Sequence, residues 1–97
     1  MYIGFEFDFK KSITNLDKHG ISLYKAMLLW TVRHTITDAR HEMGEVRFMM
    51  IGQLEDKSYT CIFTIRNKMI RLISARRSRI HEEKIYYEKF KTSENNG

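Results

Sequence analysis

The residues with most chemistry to offer gather at the end of one predicted strand. Ile70-Arg71-Leu72-Ile73-Ser74-Ala75-Arg76-Arg77 alternates until two arginines break the pattern, which marks that end as a place where an anion is met. Alternation puts Arg76 on the face of Ser74 and Leu72, and Arg71 and Arg77 on the other. A guanidinium offers phosphate a planar fork of donors, so Arg76 is the principal candidate, with Arg71, Arg77 and Arg79 as further substrate contacts. The competing reading pairs these arginines with Glu82, Glu83 or an edge carboxylate in a structural role. Glu45 and Arg47 share a face by the same alternation. A carboxylate beside arginines could take a proton while the guanidinium groups hold a phosphate, the division of labour in metal-free phosphodiester cleavage. Equally, the two could form an edge ion pair worth roughly 0–1 kcal/mol. Lys18 and His19 end a predicted helix, where cations offset the helix dipole. In a functional role His19 would carry a proton and Lys18 would bind phosphate.

Other reactive side chains fit weaker patterns. His34, Asp38 and His41 could be metal ligands on a helix, but residues 31–44 have no convincing helical period. Trp30, Phe48, Tyr59 and Phe63 could stack on bases, though aromatics at such spacings belong more often to a core. Cys61 alternates with Tyr59 and Phe63 and reads as a buried small hydrophobe. A single cysteine excludes an internal disulfide. There is no nucleophile with a base and orienter, no glycine-rich phosphate loop and no carboxylate cluster suited to magnesium. No metal site and no cofactor are therefore expected, and a nuclease built from these residues would work without metal.

The elements that must position these groups are short. The chain has 97 residues, 42% hydrophobic and 30% charged, the balance of one soluble domain with a single small core. No apolar run approaches the roughly 18 residues of a membrane span, and the N-terminus lacks the segments of a secretory signal. The expected compartment is the cytoplasm, with no membrane partner. Residues 1–65 hold eight basic and eight acidic side chains, whereas residues 66–91 hold nine basic against three acidic. Such polarisation is the footprint of a protein that meets a polyanion.

Ile3, Phe5 and Phe7 alternate as a strand, and Asp8 can cap a helix over 9–18 in which Phe9, Ile13 and Leu16 recur at helical spacing. Gly20 suits a left-handed closing residue. Ser22 can cap a second short helix, and 31–44 reads as a loop with at most a short edge strand. Strands over 46–52, 58–66 and 69–76 form adjacent antiparallel hairpins. Ser78 can cap a helix over 79–91 with Ile80, Tyr87 and Phe90 on one stripe, followed by a frayed polar tail at 92–97. The order strand, helix, helix, strand, strand, strand, helix predicts an α+β domain over 1–91, an antiparallel sheet of about four strands with helices packed on it.

Five short segments then converge in order: Phe5-Glu6-Phe7-Asp8; Asn15 with Lys18-His19-Gly20-Ile21-Ser22; Gly44-Glu45-Val46-Arg47; Phe63-Thr64-Ile65-Arg66; and Ser74-Ala75-Arg76. Through them the chain from about Tyr2 to Glu88 resembles the BrnT family of toxins from bacterial type II toxin–antitoxin systems. The resemblance implies a RelE-like fold and an endoribonuclease that arrests translation and growth by cutting RNA. It also implies a BrnA-type antitoxin that blocks the toxin and carries the contact with operator DNA. Carried over by position, the site residues are Lys18, His19, Glu45, Arg47, Arg66 and Arg76. Phe7 stands where a tryptophan is common, and the proline usual after the second helix is absent. With the basic stretch, this predicts attack by the RNA 2′-hydroxyl on the adjacent phosphate. Arg47, Arg66 and Arg76 would stabilise the phosphorane, and Glu45 or His19 would act as base. The alternative is a non-catalytic basic module that binds nucleic acid or an acidic protein through the same patch.

Overall fold

The computed structural model describes residues 4–95, with side chains for 4–37 and 40–91; Ile3 and the side chain of Asp38 lie outside the described residues. The elements run β1 (Gly4–Glu6), α1 (Phe9–His19), α2 (Leu23–Ala26) continuing as a 3-10 turn (Met27–Thr31), β2 (His34–Glu42), β3 (Glu45–Leu54), β4 (Lys57–Arg66), β5 (Met69–Arg77) and α3 (Ile80–Asn95). The strands form one five-stranded sheet in the order β1-β5-β4-β3-β2. The α+β class and the hairpins agree with the sequence reading. The four-stranded, wholly antiparallel sheet does not: β1 pairs parallel with β5, Gly4 opposite Met69 and Glu6 opposite Arg71. The stretch read as a loop is β2, a nine-residue edge strand. A register break between Thr37 and Arg40 interrupts its alternation, which hides the period that identifies a strand.

Local signals set the element ends. The Asp8 carboxylate accepts from the Lys11 N–H, and the Ser22 hydroxyl accepts from the Lys25 N–H, each capping a helix start. Gly20, at φ 74°, donates its N–H to the Leu16 carbonyl and closes α1. Each of the three hairpins turns through two residues of positive φ, Met43-Gly44, Glu55-Asp56 and Asn67-Lys68, the backbone that matches the twist of the flanking strands. One face of the sheet packs Met50, Cys61, Phe63, Leu72 and Ala75 against Ile21, Leu23, Ala26 and Leu29. Gly52 permits that approach, since a Cβ there would stand 3.0 Å from Leu29 Cδ2.

α1 is turned opposite to its apolar spacing. Its buried residues are Ser12 and Asn15, while Phe9, Ile13 and Leu16 face solvent. Beyond the end of β1, α1 covers the edge of β5 and pairs with it as a strand would. Asn15 Nδ2 donates to the Ala75 carbonyl at 2.7 Å, and the Ala75 N–H donates to Asn15 Oδ1 at 3.2 Å. Asn15 Nδ2 also donates to the Ile21 carbonyl. Asn15→Leu leaves these buried backbone groups without partners, and the expected loss is about 2–3 kcal/mol of stability, read from the urea unfolding midpoint.

α3 also differs from its expected form. Its backbone runs through Asn95, four residues past the predicted end at 91. Ile80 and Tyr87 are exposed, and the residues turned inward are Glu82 and Tyr86. Ser78 is not its cap: the Ser78 hydroxyl bonds those of Ser58 and Thr60. The Arg79 carbonyl accepts the first helical bonds, from Glu82 and Glu83, and the Glu82 carboxylate reaches back to the Arg79 N–H, half of a capping box.

Candidate nucleic-acid groove

The second face of the sheet is covered at one end by α3 and open elsewhere. There a groove of about 450 Å³ is lined by Arg40, Arg47, Ile62, Ser74, Arg76, Arg79 and His81 among others. Its composition depends on a bulge in β5. Ile62 pairs with Ser74 and Phe63 with Leu72, so Ile73 has no partner and alternation reverses there. Leu72 consequently joins Ala75 in the core, correcting the expectation that it shares a face with Arg76. Arg71 moves to the groove face instead. It continues the row Arg47, Thr64, Arg71 across β3, β4 and β5 and meets Glu6 at 3.6 Å. Arg77 stays on the opposite face, its guanidinium 5.8 Å from the Tyr59 ring, and takes no part in the groove.

Two arginine clusters frame this face. At the turn end of β3, Glu45 accepts from Arg66 Nη2 at 2.8 Å through Oε1 and from Arg47 Nε at 3.3 Å through Oε2. Arg47 also reaches Glu42 at 3.3 Å. Arg66, aided by Arg47, holds the Glu45 carboxyl below the usual carboxylate range against the opposing effect of burial. Glu45 is thus a charged carboxylate that orients two guanidinium groups, and a correspondingly weak base. The predicted partnership of Glu45 with Arg47 is present, and Arg66 joins it across the β3–β4 pair.

At the α3 end, Arg76 Nη1 and Nη2 donate to the two oxygens of Glu82 at 2.7 and 2.8 Å. Glu82 is 1% exposed and also accepts from Thr60 at 3.0 Å and from the Arg79 N–H at 2.8 Å. Burial by itself would raise this carboxyl, but the bonds from Arg76, Arg79 and Thr60 outweigh it and hold it down to about 2. The structural pairing that competed with the functional reading of Arg76 is therefore realised. It does not exhaust the side chain. No described residue accepts from Arg76 Nε, and the Nε edge remains the fork through which Arg76 can grip a phosphate oxygen.

Lys18 and His19 lie outside this groove. With Lys11 and Thr14 they line a second depression between α1 and the edge of β5, closed on its other side by Ile73 and Ser74. Ile73 and Ser74 line both depressions, so the two adjoin at the bulge. Sequence reasoning missed Arg40 and His81. Arg40 fell in the stretch read as a loop. His81 directly precedes the residue that anchors α3, a place where an exposed imidazole is carried to the groove rim. His34 and His41 fall near the two ends of an extended strand, and among the described residues no three His, Cys, Asp or Glu side chains group as a cation site. Burial pushes the Cys61 thiol up to about 12, which removes it as a nucleophile.

A family model described as the ribonuclease toxin, BrnT, of type II toxin-antitoxin system matches residues 7–82. The match runs from just before α1 to Glu82 and so contains both arginine clusters, the bulge and the Lys18–His19 depression. No curated protein matches the sequence.

Proposed function

From the premise that this chain belongs to the BrnT family of ribonuclease toxins of type II toxin–antitoxin systems, we propose that it is a metal-independent endoribonuclease acting in the cytoplasm. The groove on the open sheet face is its active site. The observation that carries this reading is the convergence of Arg47 and Arg76 on one groove, each braced by a carboxylate. Bracing holds a guanidinium in place before substrate arrives, which is what stabilising a transient charge requires. A RelE-like fold belongs to the same reading, supported by helices packed on a largely antiparallel sheet.

In the proposed reaction the RNA 2′-oxygen bonds to the adjacent phosphorus as the bond from phosphorus to the 5′-oxygen breaks. The products are a 2′,3′-cyclic phosphate and a 5′-hydroxyl. Arg47, Arg66 and Arg76 oppose the charge that grows on the phosphorane, and Arg71 and Arg79 contact flanking phosphates. One base takes the 2′-hydroxyl proton, and the departing 5′-oxygen takes up a proton from the conjugate acid of that base or from water. Glu45 is poorly suited as that base because two arginines stabilise its charged form. An imidazole suits proton transfer near neutrality better, and His19 serves across the bulge. A BrnA-type antitoxin neutralises the toxin by covering the basic groove. No helix among the described residues is long and apolar enough to cross a membrane.

Incubating the purified chain with a defined RNA in EDTA tests this reading. Cleavage with cyclic phosphate ends is the expected outcome, and a requirement for added divalent cation would overturn metal independence. The pairing of Arg76 with Glu82 favours a second reading, in which the groove binds RNA without cutting it. That reading predicts salt-sensitive retention of intact RNA.

A further inference from the structure

α1 presents its apolar residues to solvent, with the Phe7 ring 5.7 Å from that of Phe9 at one end of the stripe. Phe9, Ile13 and Leu16 are 77%, 62% and 50% exposed, and Tyr24 and Leu28, on the segment beside α1, are 68% and 48% exposed. The first three are spaced i, i+4, i+7 and form one stripe. The helix is not inverted by accident, because Ser12 accepts from the Leu23 and Tyr24 N–H groups and Asn15 holds the β5 edge. Lys11 and Lys18 lie on the flank beside β5, away from the stripe. On the other flank stand Lys10 and Asp17, two turns apart and therefore aligned. Neither forms an ion pair among the described residues, although opposite charges stand at opposite ends of the stripe.

This arrangement is complementary to itself. If two such helices pack antiparallel about a two-fold axis at Ile13, each copy's Phe9 meets the other's Leu16 region and Ile13 meets Ile13. The two-fold keeps like flanks together, so Lys10 of one copy comes level with Asp17 of the other to within about one residue rise, ~1.5 Å. A parallel two-fold would instead place the two Lys10–Asp17 flanks on opposite sides of the seam and leave both charges unpaired. We propose that α1 is a homodimer interface, closed by Phe9, Ile13 and Leu16 and by reciprocal Lys10–Asp17 pairs between two copies of this chain. Tyr24 and Leu28 widen the apolar contact on the Ser12 flank. The groove stays open, because the stripe and the groove lie on different sides of α1.

Sedimentation velocity of the purified chain over a range of concentrations tests the interface. A concentration-dependent dimer is expected, and Ile13→Asp, an exposed position that leaves the fold intact by circular dichroism, makes it monomeric. Lys10→Glu and Asp17→Lys each weaken dimerisation by about tenfold, since each sets like charges together twice. The double variant restores dimerisation to within about threefold of the parent, because the exchanged charges again oppose each other. A chain that stays monomeric at every concentration overturns the proposal and leaves the face to a different partner. A dimer indifferent to Ile13→Asp, or single variants that the double variant fails to rescue, also overturns it.

Discussion

Arg76→Lys lowers RNA cleavage by about 10²-fold or more while the protein stays folded. The expected size is that for removing one preorganised donor aimed at a developing oxyanion. Lysine is the informative replacement because it can keep a cation against the buried Glu82 and loses only the planar fork. Alanine at 76 removes the partner of a buried carboxylate as well, so a loss of activity there would mix catalysis with stability. Initial rates on a defined RNA, with end-group analysis of the products, check the prediction alongside a thermal unfolding curve. Unchanged cleavage in a folded Arg76→Lys protein removes Arg76 from the site. It would then be a structural arginine that ties α3 to β5.

Glu82→Ala costs about 3–5 kcal/mol of folding stability, the range for breaking one side of a buried ion pair. The substitution leaves the Arg76 guanidinium half-buried without its partner, and it strips acceptors from the Thr60 hydroxyl and the Arg79 N–H. Exchanging both members, as in Arg76→Met with Glu82→Leu, recovers the part of that loss that comes from the unpaired charge, while the Thr60 hydroxyl and the Arg79 N–H still lack the carboxylate. Urea titrations of the three proteins decide this. The carboxyl also confers a pH dependence of known sign. Its value in the folded protein is held down to about 2 against an ordinary 4.5, so the unfolded chain takes up the proton first as pH falls. The stabilisation is complete above about pH 4.5 and is lost progressively toward pH 2. Glu82→Gln flattens that acid limb, and an unfolding profile identical to the parent between those pH values would show that the pair contributes nothing.

What the sequence determined by itself is local, and it is determined by backbone chemistry within a few residues. Asp8 and Ser22 accept from N–H groups three positions on, and Gly20 takes a left-handed conformation that costs glycine little. The paired turns return each strand against its neighbour, so β3, β4 and β5 follow from short-range signals. Glu45 and Arg47, two apart on one strand, were bound to share a face, and the concentration of basic residues after Ile65 was bound to give one part of the surface a positive field.

The tertiary structure decided what depends on residues far apart in the chain. β1 joins β5 in parallel across more than sixty positions of sequence, and no local pattern specifies a strand's distant partner. β2 is polar and carries a register break, so its alternation could not be read before its neighbour was known. The bulge at Ile73 reversed the face of Arg71 relative to Arg76, because a single extra residue inverts a period of two. The spacing of Phe9, Ile13 and Leu16 guaranteed a stripe but not what would face it. Asn15 and Ser12 decided that by bonding backbone groups that only the folded sheet and α2 bring near. Arg76 and Glu82 were paired in one of the readings the sequence allowed. What it could not supply was the burial of that carboxylate beneath α3, because burial is a property of packed elements and not of any residue alone.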